Sequence, residues 1–138
     1  MIGIVIVAHG GLAVSLLEAM EHVVGKQSNA RAVAIQPTDD LHGKQSEIDQ
    51  KVGEVNTGDG VVVVTDMFGG TPSNLALGAI TSEDVEVVYG ANLPLLVKLA
   101  KCRDRALRDA VTASLEAGHK YINSAANILD LESGKKAG

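Results

Sequence analysis

Two uninterrupted β-branched runs constrain this chain more than any other feature. Ile2–Ala8 reads IGIVIVA and Val61–Thr65 reads VVVVT. A strand with one wet face alternates apolar and polar residues, whereas a strand that is apolar throughout must be covered on both faces. Such strands belong in a parallel sheet between two layers of helices. The rest of the chain supplies those layers. Leu12, Leu16, Leu17, Met20, Val23 and Val24 recur at helical spacing until Gly25, with Ser15, Glu18 and His22 on the opposite face. Ala30–Ile35 is a weaker second strand. The turn Pro37-Thr38-Asp39-Asp40 follows, its aspartates placed as helix caps, then a polar helix from about Leu41 to Val55 on the stripe Ile48, Val52, Val55. After the third strand, Pro72 suits a first helical turn and Leu75, Ala76, Ala79 and Ile80 share one face. Val85–Tyr89 is a fourth strand. One helix opens at Asn92-Leu93-Pro94, and a last one spans Asp104 to Ala117 on Leu107, Val111 and Leu115. Residues His119–Leu131 fit a terminal strand, a helix end, or both in turn.

This alternation predicts an α/β domain: a doubly wound, mostly parallel four-stranded sheet with helices on both faces. The flavodoxin-like order 2-1-3-4 is the expected arrangement. A single domain should cover residues 1–131, with 132–138 a frayed polar tail. A hydrophobic content of 46 % argues against disorder, but only 2 % is aromatic, too little for a stacking platform. The net charge of −5, with no basic stripe, argues against nucleic acid. The single cysteine, Cys102, excludes an internal disulfide and reads as a small buried hydrophobe. The apolar start lacks a basic leader region, and no apolar run approaches the roughly 18 residues of a membrane helix. A soluble, cytoplasmic protein with no direct membrane insertion is expected.

In open α/β sheets, ligands bind beyond the carboxyl ends of the strands. His9 follows the first strand and Asp66 the third, and in the 2-1-3-4 order these strands are neighbours. A carboxylate that accepts from one ring N–H fixes the imidazole tautomer and leaves the other nitrogen as a nucleophile. Gly69-Gly70-Thr71 enters a helix N-terminus, where free N–H groups and the helix dipole favour an anion. Gly10-Gly11 offers a second such terminus beside His9, and the hydroxyls of Thr71 and Ser73 are further donors. Met67 and Phe68 are apolar residues in an otherwise polar loop, placed either to dock a partner or to fold onto the core. His22, His42 and His119 read as bystanders. His9 and Asp66 are two metal ligands with no evident third, so neither metal nor cofactor is expected.

The segment Ile4–Gly10, IVIVAHG, together with Asp66–Asn74, DMFGGTPSN, and Ala91–Leu96, ANLPLL, resembles the enzyme IIA component of the mannose family of the bacterial phosphoenolpyruvate–sugar phosphotransferase system. The likeness runs in order over nearly the whole chain. The resemblance implies that His9 accepts a phosphoryl group from the phosphocarrier HPr and passes it to a histidine of a separate IIB component. It implies that Asp66 bonds to His9 and that Thr71 stands where Ser is common in the family. It also implies a homodimer that exchanges a C-terminal strand, which would involve the stretch around His119–Ala126. Sugar uptake and regulation are both compatible outputs. Two other readings remain: the phosphoryl-donor subunit of a dihydroxyacetone kinase, and an anion- or nucleotide-binding regulatory module. The latter lacks a GxxxxGK[ST] motif and a GxGxxG after a strand.

Overall fold

The computed structural model describes residues 1–132. The expected polar tail, apart from Glu132, lies outside the described residues. The elements are β1 (Gly3–His9), α1 (Leu12–Val24), β2 (Ala30–Ile35), α2 (Leu41–Val55), β3 (Val61–Thr65), α3 (Thr71–Gly78), β4 (Val85–Val88), α4 (Leu93–Lys101), α5 (Leu107–Lys120) and α6 (Ala125–Glu132). All strand pairs are parallel and the sheet order is β2-β1-β3-β4. The register pairs His9 with Ile35 and Val7 with Thr65, so β1 and β3 end side by side.

Side-chain alternation divides the β-branched runs between two cores. Ile4, Ile6 and Ala8 of β1, with Val62 and Val64 of β3, pack under Ala13 and Met20 of α1, Leu96 and Leu99 of α4, and Ala110 of α5. Val5, Val7, Val61 and Val63 pack on the other face with Ile48 and Val52 of α2 and Leu75 and Ala76 of α3. Cys102 is fully buried in the first core, as its composition-level reading required. Four expected core positions are exposed: Leu12 and Val23 at the two ends of α1, Ile80 just after α3, and Leu115 on α5, whose buried face is Ala110, Ser114 and Gly118.

The C-terminal stretch departs from expectation. Helix α5 continues to Lys120, and α6 begins at Ala125. No strand occurs there among the described residues, so the strand the family likeness implied for exchange is not what the single chain forms. Local capping accounts for the outcome. Ser124 Oγ accepts from Asn127 N at 3.2 Å and Ser124 O from Ile128 N at 3.1 Å, an N-terminal helix cap that a lone chain can satisfy by itself. A strand would need an edge to pair with.

Candidate active site at the carboxyl edge of the sheet

His9 is the last residue of β1 and half-exposed, with 52 % of its side chain accessible; Asp66 is the first residue after β3, with 12 % accessible. Adjacent strand ends bring them together. Asp66 Oδ2 accepts from the His9 backbone N–H at 3.0 Å and lies 2.7 Å from His9 Nδ1, while Oδ1 accepts from Met67 N at 2.9 Å. Burial alone would raise the Asp66 pKa. The His9 backbone N–H bond, the bond and charge of the His9 ring, and the Met67 N–H together outweigh it and hold the carboxyl below its ordinary value near 3.8. An ionised carboxylate only accepts, so Nδ1 carries the proton and, in the neutral ring, Nε2 keeps a free lone pair.

That nitrogen faces the start of α3. A Cβ placed on Gly70 would stand 3.1 Å from His9 Cε1 and 3.3 Å from Nε2, so only glycine lets the backbone sit this close without displacing the ring. Gly70 is the N-cap of α3, Pro72 occupies the first turn, and no side chain caps the free amides. Gly69 turns the preceding loop at φ +92°, and Gly10 leaves β1 at φ +56°. Gly11 caps α1, again without a side-chain bond. The N-terminus of α3 therefore opens beside this imidazole nitrogen, and that of α1 is capped by Gly11, two residues after His9, a setting for an anion. Beside them lies a cavity of about 730 Å3 whose walls include His9, Gly10, Thr71, Ile35, Pro37 and Leu41.

The family model described as "PTS system fructose IIA component" matches residues 3–116. The chain belongs to the mannose-family IIA components of the phosphotransferase system. It is 29 % identical over 126 residues to the mannose-specific EIIAB component of Escherichia coli, covering 89 % of this chain and 39 % of that protein, so it spans about two-fifths of that relative. It is 29 % identical over 111 residues to the fructose-specific EIIA component of Bacillus subtilis, covering 79 % of this chain and 76 % of the other. Its fold matches the crystal structure of a phosphotransferase system component EIIA from Streptococcus agalactiae with a TM-score of 0.82 at 24 % identity, over 92 % of this chain and 99 % of that one.

The IIA domain distributes the remaining candidate residues unevenly. Thr71 is exposed and lines the cavity with His9. Ser73 is 1 % exposed and its Oγ has no partner among the described residues. The hydroxyl read as a phosphoryl donor is thus buried, because position 73 falls on the inner face of α3. Met67 and Phe68 are 57 % and 72 % exposed, and Phe68 meets the ring of Tyr89 edge-on at 5.0 Å. His22, His42 and His119 are all exposed. Asp40 caps α2 through bonds from His42 N and Gly43 N, and Asp39 accepts from Gln36 N at 2.7 Å. Among the described residues, no group of three or more His, Cys, Asp or Glu could hold a metal, and no helix is long and apolar enough to cross a membrane.

Two features escaped the sequence reading. Asp66 grips the His9 backbone as well as its ring. Gln45 of α2 reaches the Leu75 carbonyl of α3 at 3.0 Å. Neither has a motif, since each depends on which elements pack together.

Proposed function

We propose that this IIA domain is a protein-histidine phosphocarrier in which His9 Nε2 receives a phosphoryl group from phospho-HPr and delivers it to a IIB component. The 2.7 Å contact between Asp66 and His9 Nδ1, which leaves Nε2 free beside Gly70, carries this reading. Attack on the donor forms the P–Nε2 bond as the donor's P–N bond breaks. The His9 ring gains positive charge in that step, and the ionised Asp66 carboxylate 2.7 Å away offsets it. No proton has to move.

Phosphoryl transfer of this kind asks little covalent chemistry of the protein and much positioning. The amides at the starts of α1 and α3 and the Thr71 hydroxyl supply donors to the phosphoryl oxygens, with Gly10, Gly11, Gly69 and Gly70 admitting the backbone. Ser73 would reach the group only through a rearrangement of α3. Both donor and acceptor bonds join phosphorus to an imidazole nitrogen, so the transfer runs in either direction. Met67 and Phe68 are assigned to partner docking. A homodimer working in the cytoplasm, without cofactor, completes the reading.

The test is transfer of labelled phosphate from phospho-HPr to the wild type and to His9→Ala. Label that is acid-labile, alkali-stable and lost in the variant supports the phosphocarrier; a folded wild type that stays unlabelled refutes it. Onward transfer then separates a IIB acceptor from a dihydroxyacetone kinase. Stabilisation by a nucleotide without covalent labelling would point to the regulatory module.

A further inference from the structure

Helix α3 brings the amides to His9, and it is only eight residues long. Its end tightens. Ala79 N bonds to Ala76 O at 3.0 Å and Ile80 N to Leu77 O at 3.2 Å. These are three-residue bonds, so the Leu75 carbonyl loses the Ala79 amide that a continuing α-helix would provide. Gln45 on α2 takes its place. Gln45 Nε2 donates to Leu75 O at 3.0 Å and to Asp49 Oδ1, one turn along α2, also at 3.0 Å. Both amide hydrogens are used, and Asp49 fixes the plane of the group.

Gly78 makes room for this contact. A Cβ there would stand 2.5 Å from Gln45 Oε1 and 3.0 Å from its Cδ. At its other end the same helix has no slack, because Gly70 lies against the His9 ring. Leu75 is separated from Gly70 by about 7.5 Å of helix, at about 1.5 Å per residue. A helical segment this short moves as a unit, so where Gln45 holds Leu75 determines how closely Gly70 approaches Nε2.

We propose that Gln45, seated on Gly78 and oriented by Asp49, is a positioning residue for phosphoryl transfer at His9. The inference rests on His9 being the phosphoryl acceptor. A misplacement of about 1 Å at a reacting centre costs about 100-fold in rate, and a shift of a fraction of that gives about tenfold.

Gln45→Leu removes the donor at similar volume, and Gly78→Ala pushes the amide away. Each variant should lower the maximal rate of phosphate uptake from phospho-HPr about tenfold while leaving the half-saturating HPr concentration within about twofold. Each should also move the Gly70 amide resonance in a proton–nitrogen spectrum of the unphosphorylated protein. The double variant should be no slower than the slower single one, since both remove one contact. A loss of stability alone would move none of these readouts at temperatures where the protein is folded. A wild-type rate in Gln45→Leu, or an unmoved Gly70 resonance, overturns the proposal. Should the wild type itself take no phosphate, the phosphocarrier reading fails separately, and an unmoved Gly70 resonance would still overturn the placement of α3 by Gln45.

Discussion

The amino edge of the sheet and the His9 side of its carboxyl edge differ. At the amino edge, a cluster of polar groups is tied down. Arg103 is 4 % exposed and has no carboxylate at ion-pair distance among the described residues, yet its guanidinium donates to Ile2 O at 2.7 Å, Gln27 Oε1 at 3.0 Å and Asn29 O at 3.0 Å. Burial pushes the Arg103 pKa down, but a guanidinium is basic enough to stay charged at neutral pH. Nearby, Asn56 Nδ2 donates to Asp84 Oδ2 at 2.9 Å and Ser82 to Asp84 Oδ1. At the carboxyl edge, Asp40 and Asn92 cap α2 and α4, but the two helices that begin beside His9 start with glycine and no side-chain cap, and His9 is half-exposed. Groups satisfied internally at one edge hold the strands in register; the uncapped amides at the starts of α1 and α3 are free to meet an anion. The comparison assigns stability to the first edge and chemistry to the second, and variants can break it from either side.

Arg103→Ala should have the largest effect. It removes the guanidinium donor from the Ile2 carbonyl and from Gln27, leaves the Asn29 carbonyl with the Ile4 N–H alone, and should cost about 3 kcal/mol of unfolding free energy. The folded fraction should still take phosphate at the wild-type rate. Denaturant unfolding together with a rate normalised to folded protein checks both halves, and a slowed normalised rate would mean that the edges are coupled.

Asp66→Asn comes next. The amide cannot offset the charge on the phosphorylated ring, and phosphate uptake should fall about 100-fold. The same variant has a pH signature. The folded Asp66 pKa lies below its ordinary value near 3.8. Its contribution to stability is therefore fully present above about pH 4 and is lost as pH falls through the folded value. The stability gap between wild type and Asp66→Asn should be widest near pH 7 and narrow below about pH 4. A gap that widens in acid would reverse the sign of the argument.

Gly70→Ala is the sharpest probe of the open edge. Its backbone φ of −100° suits any residue, so the fold should be little affected. The added methyl meets His9 Nε2, and uptake should slow about 30-fold with a stability change under about 1 kcal/mol. Phe68→Ala should do least. Loss of a 72 % exposed ring should raise the half-saturating concentration of HPr about tenfold and leave the maximal rate unchanged. Unchanged half-saturation would remove Phe68 from docking.

Most of this comparison could be read in the sequence at the carboxyl edge and almost none at the amino edge. The β-branched runs gave both strands with two covered faces, and strand order then followed from connection rules, which placed His9 beside Asp66. Glycines before Leu12 and Thr71 marked the open helix starts. Arg103, in the run Lys101-Cys102-Arg103-Asp104-Arg105, looks like any surface charge, because its burial depends on where α4 ends over the residues that lead into β1 and β2. The burial of Ser73 is not legible, because a hydroxyl in a motif and a hydroxyl on an inner helix face are the same letter. The C-terminal segment was ambiguous because its apolar residues suit either a strand with an edge to pair or a self-capped helix.

The central claim is that Asp66 holds Nδ1 so that Nε2 takes the phosphoryl group. Long-range proton–nitrogen and phosphorus NMR of the phosphorylated protein reads this directly. The account predicts phosphorus bonded to Nε2 of His9, with Nδ1 still protonated and hydrogen-bonded to Asp66. Phosphorus on Nδ1, or on any residue other than His9, would contradict it.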